Sequence, residues 1–384
     1  MIPTPPLFDT PLSPIPNKFY IYIEQYNMKI ERFHGHDLNF VNEAKKYGCI
    51  SVCMPSKIEF NKKIPDFKKR FLKYLHDQSQ KEKSVLQLRI TDNFRYYYDT
   101  NINTEEFFVD TNETDMPKVF TILSKELEKR NLCLTFYISD DEKKIYSVLY
   151  HPFLDGLSYV NLFLGFFNRE VPVEKLPYIY IPLLTDSLNL TYVMKNAKNY
   201  IDNFTKKKSN FQYIENTNMN QIQLNYLTIK FELDNVKQLK KKYKTSFSLM
   251  IVSIVTFGIF QTTNVQKLNI RYIIAVNEKI TSIFNKLTSI DITLQRHDNF
   301  ENYVQHVNYL FDKYKNHAIL AYSILNLHNI KVPTGGNTID VAFSGFPLVN
   351  EKVKELDIKS ISSFSPFSPS CIHVSYLSDT KHVF

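Results

Sequence analysis

The chain has 384 residues, more than a single compact core usually accommodates, so two domains are expected. Hydrophobic residues at 43% and aromatics at 14% are ample for packed cores, and the composition, with only 8 glycines, excludes a low-complexity chain. Lys and Arg outnumber Asp and Glu 47 to 39, a formal charge of +8 that favours phosphorylated carriers, anionic lipid surfaces and nucleic acid alike and selects none of them.

In chain order, Phe19 to Ile23 reads as a strand, and Ile50 and Val52 alternate like a strand between Cys49 and Cys53. Pro65 to Leu75 has a proline start and places Phe67, Phe71, Leu72 and Leu75 at helical spacing. Phe94 to Tyr98 suits a strand face. Pro117 to Arg130 is amphipathic through Val119, Leu123 and Leu127, and Leu132 to Ile138 is strand-like. The charged turn Ser139 to Lys144 returns the chain antiparallel into the apolar run Ile145 to Tyr150. Beyond Gly156, residues Leu157, Val160, Leu162, Phe163, Phe166 and Phe167 recur closer to helical spacing.

Pro172, Pro177 and Pro182 then punctuate a crossing segment, and Lys206, Lys207 and Lys208 lie in a solvated stretch. This divides the chain into an N-terminal half over 1–185, a linker over 186–221 and a C-terminal half over 222–384. The second half opens with a strand alternation over Ile222 to Leu233, followed by a basic helix from Asn235 to Tyr243. Lys240, Lys241, Lys242 and Lys244 are either contacts for carrier phosphates or a solvated helix face. Thr245 to Gln261 is an apolar helix. Its longest run, Leu249 to Phe260, is too short to cross a bilayer, which takes roughly 20 residues. Asn269 to Val276 is a strand, Phe300 to Tyr314 a helix, and strands near Ile339 to Phe343 and Ile372 to Leu377 complete a second sheet.

The chemistry-bearing stretch is Tyr150-His151-Pro152-Phe153-Leu154-Asp155-Gly156. Pro152 cannot donate to a sheet ladder and Gly156 tolerates unusual backbone angles, so strand, turn and helix meet at His151. An imidazole titrating near neutrality at such a junction can take a proton from an alcohol or amine as that group attacks an ester or thioester carbonyl. Asp155 either orients the site or caps the turn.

A His-x-x-x-Asp-Gly stretch between a strand and an apolar helix resembles the signature of the chloramphenicol acetyltransferase-like acyltransferases. Within that superfamily the chain is most similar to wax ester synthase/diacylglycerol acyltransferases. Three further stretches in the family's order carry that likeness: Pro11 to Phe19 with Glu24, Thr245 to Gln261 after its Lys-rich turn, and Ser365-Pro366-Phe367 through the strand ending in Ser375-Tyr376. The resemblance implies an α/β fold of two chloramphenicol acetyltransferase-like halves, mixed sheets flanked by helices, with an active-site channel between them. It implies His151 as the general base, Asp155 as a structural partner of a basic side chain, and no covalent enzyme intermediate.

The implied donor is acyl-CoA or an acyl-phosphopantetheine carrier, the acceptor a hydroxyl or amine, and no cofactor is permanently bound. Departures from the family pattern are Tyr150 where relatives carry a first His, the absence of any Trp, and Val341-Ala342-Phe343-Ser344-Gly345 where relatives place an Asn. Ser344 is then either a hydroxyl donor to the developing oxyanion or an ordinary turn serine. These departures keep a second class open, a catalytically inactive member of the fold that binds lipid or protein.

Other constellations carry less. His34 and His36 would share a face of a strand, but no third ligand is fixed by spacing, so the segment reads as a turn with exposed imidazoles and no metal site is expected. Phosphate-binding glycine loops, serine-hydrolase elbows and zinc-finger spacings are missing, so no nucleic-acid partner is predicted. Cys49, Cys53, Cys133 and Cys371 show no paired metal spacing, and Cys49 and Cys53 read as buried free thiols. With residues 1–16 rich in Pro and without a signal pattern, the expected location is cytoplasmic, with peripheral membrane contact open.

Overall fold

The computed structural model describes residues 40–42, 44–45, 48–81, 84–91, 93–154, 156–167, 209–211, 227–275, 287–328, 339–346, 358–363, 370–377 and 382–383. The expected strand Phe19 to Ile23, the opening Pro-rich segment, the His34–His36 turn and nearly all of the linker lie outside these residues, as does Asp155.

The first half begins with a tight turn over Cys49–Val52 and enters β1, Cys53–Phe60. The expected strand alternation across Cys49 to Cys53 is therefore a 3-10 turn up to Val52. Gly48 at φ 90° starts it and the Ser51 hydroxyl donates to the Gly48 carbonyl at 2.6 Å, which curls the chain before it can extend. Helix α1 (Phe67–Ser79) follows, then the short hairpin β2 (Leu88–Ile90) and β3 (Tyr96–Tyr98), and α2 (Met116–Lys129) with Pro117 in its first turn. β4 (Leu134–Ile138) and β5 (Lys144–Tyr150) form the expected hairpin, and α3 runs over Gly156–Phe166.

β5 lies between β1 and β4 and pairs antiparallel with both, so it is an inner strand. Alternation sends its residues to the two opposite faces of the sheet. Tyr146 meets Phe120 of α2 edge-on at 5.8 Å, while Ser147, on the opposite face, bonds Tyr159 of α3. Phe71 of α1 packs edge-on against Phe136 at 5.0 Å and Phe166 at 5.1 Å, so α1 and α3 cover the face opposite α2. A fully buried phenyl ring such as Phe71 contributes about 1.5–3 kcal/mol.

The second half contains β6 (Phe231–Glu232), α4 (Leu233–Lys242), α5 (Phe247–Thr262), β7 (Lys267–Ala275), β8 (Leu287–Gln295), α6 (Phe300–His328) and β9 (Ile339–Phe346). Of the strand expected over Ile222 to Leu233, residues 222–226 lie outside the described residues, and in the rest Phe231–Glu232 is strand. Leu227 and Ile229 keep the alternation, yet both are exposed, and among the described residues only His382–Val383 pairs with Phe231–Glu232, so this part of the pattern has no surface to bury against.

The chain then crosses into the first half as β10 (Ile358–Ser363), pairs antiparallel with β1, and returns as β11 (Ser370–Leu377), parallel to β9; β12 (His382–Val383) closes on β6. The second sheet is ordered β11-β9-β7-β8 and is packed on one face by α5 and α6 through Phe260, Tyr303 and Val307. Among the described residues no single helix is long and apolar enough to cross a membrane.

Candidate active site

His151 sits one residue past β5, and the main chain fixes it there. Its N–H donates to the Val52 carbonyl at 3.1 Å, Tyr150 N–H to Cys133 O at 2.8 Å, and Phe153 N–H to Tyr150 O at 3.0 Å. The turn is anchored by what flanks it. Tyr150 and Phe153 are fully buried and meet edge-on at 5.6 Å, and Phe153 also meets Tyr96 at 5.8 Å. The His151 ring stacks on Phe40 with centroids 4.2 Å apart and planes 18° off parallel, and its Nδ1 is enclosed. A ring held flat against a phenyl face loses the freedom to swing.

Gly156 begins α3, so the strand, turn and helix expected around His151 are all present. Below the turn, Ser56 Oγ lies 3.0 Å from Ser147 Oγ, which lies 2.6 Å from Tyr159 Oη, tying β1, β5 and α3 together. Tyr150 turns out to be a core residue: its hydroxyl is enclosed and burial pushes its pKa well up, so the departure at this position falls in the first core. Cys49, Cys53 and Cys133 are buried free thiols; burial pushes Cys133 up to about 12.

The second sheet contributes a polar face. Val341 and Phe343 of β9 and Val374 of β11 pack into the core beneath α5 and α6. Alternation therefore sends Asp340, Ala342 and Ser344 of β9, with His373 and Ser375 of β11, to the other side. The register pairs His373 with Ala342 and Ser375 with Ser344. Arg271 of β7 and Asp291 of β8, opposite each other in register, share this face and join by two 2.9 Å contacts. Asp340, fully buried, accepts from Ser209 Oγ at 2.7 Å, Asn210 N–H at 2.6 Å, Asn210 Nδ2 at 2.7 Å and Asn269 N–H at 2.7 Å.

Ser344 is thus a half-buried strand residue on the polar face and not a turn serine. Its neighbour Gly345 lies against the Tyr376 ring, where a side chain would collide. The residue that sequence reasoning missed is His373. Burial, and after it the charge of His151, push its pKa down to about 4. The signal available was parity: His373 and Ser375 alternate with Ile372, Val374 and Tyr376. The Lys240–Lys242 run occupies the last turn of α4, exposed or half-exposed, as a solvated helix face would be. Among the described residues no group of metal-ligating side chains forms.

No family model and no curated protein matches the chain. Among solved structures, the condensation domain of the Monacolin K polyketide synthase MokA superposes with a TM-score of 0.61 at 9% identity, covering 93% of this chain and 91% of that one. The trichothecene 15-O-acetyltransferase TRI3 from Fusarium sporotrichioides gives 0.60 at 10% identity over 93% and 90%. The fold is that of the condensation domains and their acyltransferase relatives. A third relative in structure, a mutant starter condensation domain of rhizomide synthetase in complex with C8-CoA and Leu-SNAC, gives 0.56 at 8% identity over 92% and 87%. At these identities the likeness is one of fold, that of two halves with a sheet each; the expected mixed sheet is found in the second half, whereas the described strands of the first sheet pair antiparallel throughout.

Proposed function

We propose that the chain transfers an acyl group from a thioester to a hydroxyl or amine, with His151 as the general base. The observation that carries this is the placement of His151: a ring clamped on Phe40 at the end of an inner strand, in the sheet where β10 brings the later part of the chain against β1. An imidazole where two halves meet can serve a donor and an acceptor arriving from different sides. The acceptor oxygen or nitrogen attacks the carbonyl carbon while its proton passes to His151. The tetrahedral species collapses, the C–S bond breaks, and the thiolate takes the proton back. Asp155, three positions after Pro152 in the sequence, is proposed to hold the turn through a basic side chain. The wax ester synthase-like segments support acyl-CoA as donor and a hydroxyl as acceptor; a phosphopantetheine-bearing carrier is the other donor of the same chemistry.

The test is thiol release from acyl-CoAs of graded length in the presence of alcohols or amines. His151→Ala should lower turnover by about 10²- to 10⁴-fold while the protein still melts cooperatively. Full turnover by a folded His151→Ala protein refutes the assignment, and no binding of any thioester by calorimetry turns the reading to a lipid-binding or protein-interaction module.

A further inference from the structure

We propose that His373 is a second catalytic residue, whose ring N–H donates a hydrogen bond to the thioester carbonyl oxygen as that oxygen gains charge, with Ser344 beside it as a companion donor. The inference rests on acyl transfer at His151. Three independent features support it. First, β11 and β9 run parallel with His373 opposite Ala342, which puts His373 and Ser344 on one face. With strands about 4.8 Å apart and about 3.3 Å of rise per residue, their backbones lie roughly 8 Å from each other, a gap that one carbonyl group can span between two side chains. Second, that face is the one turned from the helices: its partners Val341, Phe343 and Val374 fill the core, so His373 cannot be serving it. Third, β10 ends with Ser363 opposite Ser56, near the end of β1 where Cys53 lies opposite Tyr150, so the chain leaves the first sheet on the His151 side shortly before β11 begins at Ser370, and the lowered pKa of His373 agrees with that placement.

The chemistry separates the roles of the two rings. A ring kept as neutral as His373 is a poor base near pH 7 and holds no spare proton to give away. It still carries one N–H, and a neutral N–H donor aimed at a developing oxyanion stabilises it without itself changing charge. In the balanced step the acceptor's proton goes to His151, the carbonyl π electrons move onto oxygen, and that oxygen accepts from His373. On collapse the electrons return, the C–S bond breaks and the thiolate leaves with the proton from His151. His373 ends as it began. This assignment also supplies a donor where the sequence has no Asn in the Val341–Gly345 stretch.

The experiment compares wild type with His373→Phe, which fills the ring's volume without an N–H, and His373→Gln, which restores a neutral donor. Thiol release from an acyl-CoA gives kcat and KM for each. Loss of one oxyanion donor elsewhere costs about 10²- to 10³-fold in kcat, so His373→Phe should fall by that order with KM little changed, and His373→Gln should recover at least tenfold of it. Replacing the thioester carbonyl oxygen by sulfur, a weak acceptor, should slow wild type sharply and His373→Phe hardly at all. If His373→Phe does not melt cooperatively, His373→Ala takes its place in both measurements. A folded Phe or Ala variant with kcat within twofold of wild type, or one with an undiminished sulfur penalty, overturns the proposal. Should His151→Ala be inactive in the same assay, only the role of His373 falls; should it be fully active, acyl transfer at this site falls with it.

Discussion

Acid should unfold this protein partly through His373, and the size of the effect follows from its surroundings. The ordinary value of 6.5 applies in the unfolded chain, whereas burial, with His151 second, holds the folded ring at about 4. The folded value is the lower one, so below pH 6.5 the unfolded chain takes up a proton that the folded chain refuses. The stability is fully present above the unfolded value, declines as pH falls, and levels off below the folded value. At about 1.36 kcal/mol per unit, the loss comes to about 2 kcal/mol at pH 5 and about 3 kcal/mol at pH 4. Urea unfolding of wild type and His373→Gln across pH 7 to 4 isolates it, since the carboxylates common to both proteins cancel in the difference. The gap between the two curves should close or reverse by roughly 2 kcal/mol between pH 7 and 5. In a His151→Ala background it should shrink slightly, because the second of the two causes is gone. Curves that stay parallel within about 0.5 kcal/mol would refute the burial and pairing of this ring.

Two further outcomes follow from the second half. Asp340→Ala removes the acceptor for the main-chain N–H groups of Asn210 and Asn269, and at about 1–3 kcal/mol for each stranded donor the urea midpoint should drop clearly; Asp340→Asn, which keeps one oxygen, should lose less. Equal midpoints for both variants and wild type would show that this carboxylate does not hold Ser209 to Phe211 in place. Gly345→Ala drives a methyl group into the ring of Tyr376, which is 4% exposed and whose hydroxyl lies 3.3 Å from that of Tyr272, so the change should destabilise by about 1–3 kcal/mol and be relieved by adding Tyr376→Leu. Additive effects in the double variant would refute the close approach.

Much of the fold is written locally. Pro117 in the first turn and apolar residues three and four apart mark α2, and the side chain of Ser246 accepts from Leu249 N–H at 3.1 Å, which is why α5 starts where it does. What stayed hidden depends on distant partners. β10 is too polar to look like a strand, yet it pairs with β1 some 300 residues earlier through Ile358 to Ser363, with Lys359 on Glu59 at 2.7 Å. β8 hides its inward Ile290, Ile292 and Leu294 among threonines and a serine, and α6 continues well past Tyr314 to His328. Conversely, the alternation over Ile222 to Leu233 was plain, yet in its described part Leu227 and Ile229 are exposed, because no sheet among the described residues lies beneath them.

The candidate site divides in the same way. His151 was legible because a proline, a glycine and a strand end lie within six residues of it, all of which shape one turn. His373 was not, because nothing in Cys371 to Tyr376 distinguishes a histidine facing a site from one facing water; only the parallel register with β9 and the approach of the first half decide it. Yet the register itself is held by core residues. Phe343 and Val374 fix the two strands on α5 and α6, and each, by pointing inward, forces its neighbour outward. A slip of one residue would turn His373 into the second core and Val374 out of it, so the packing of that core and the chemistry proposed for the opposite face are enforced by the same alternation.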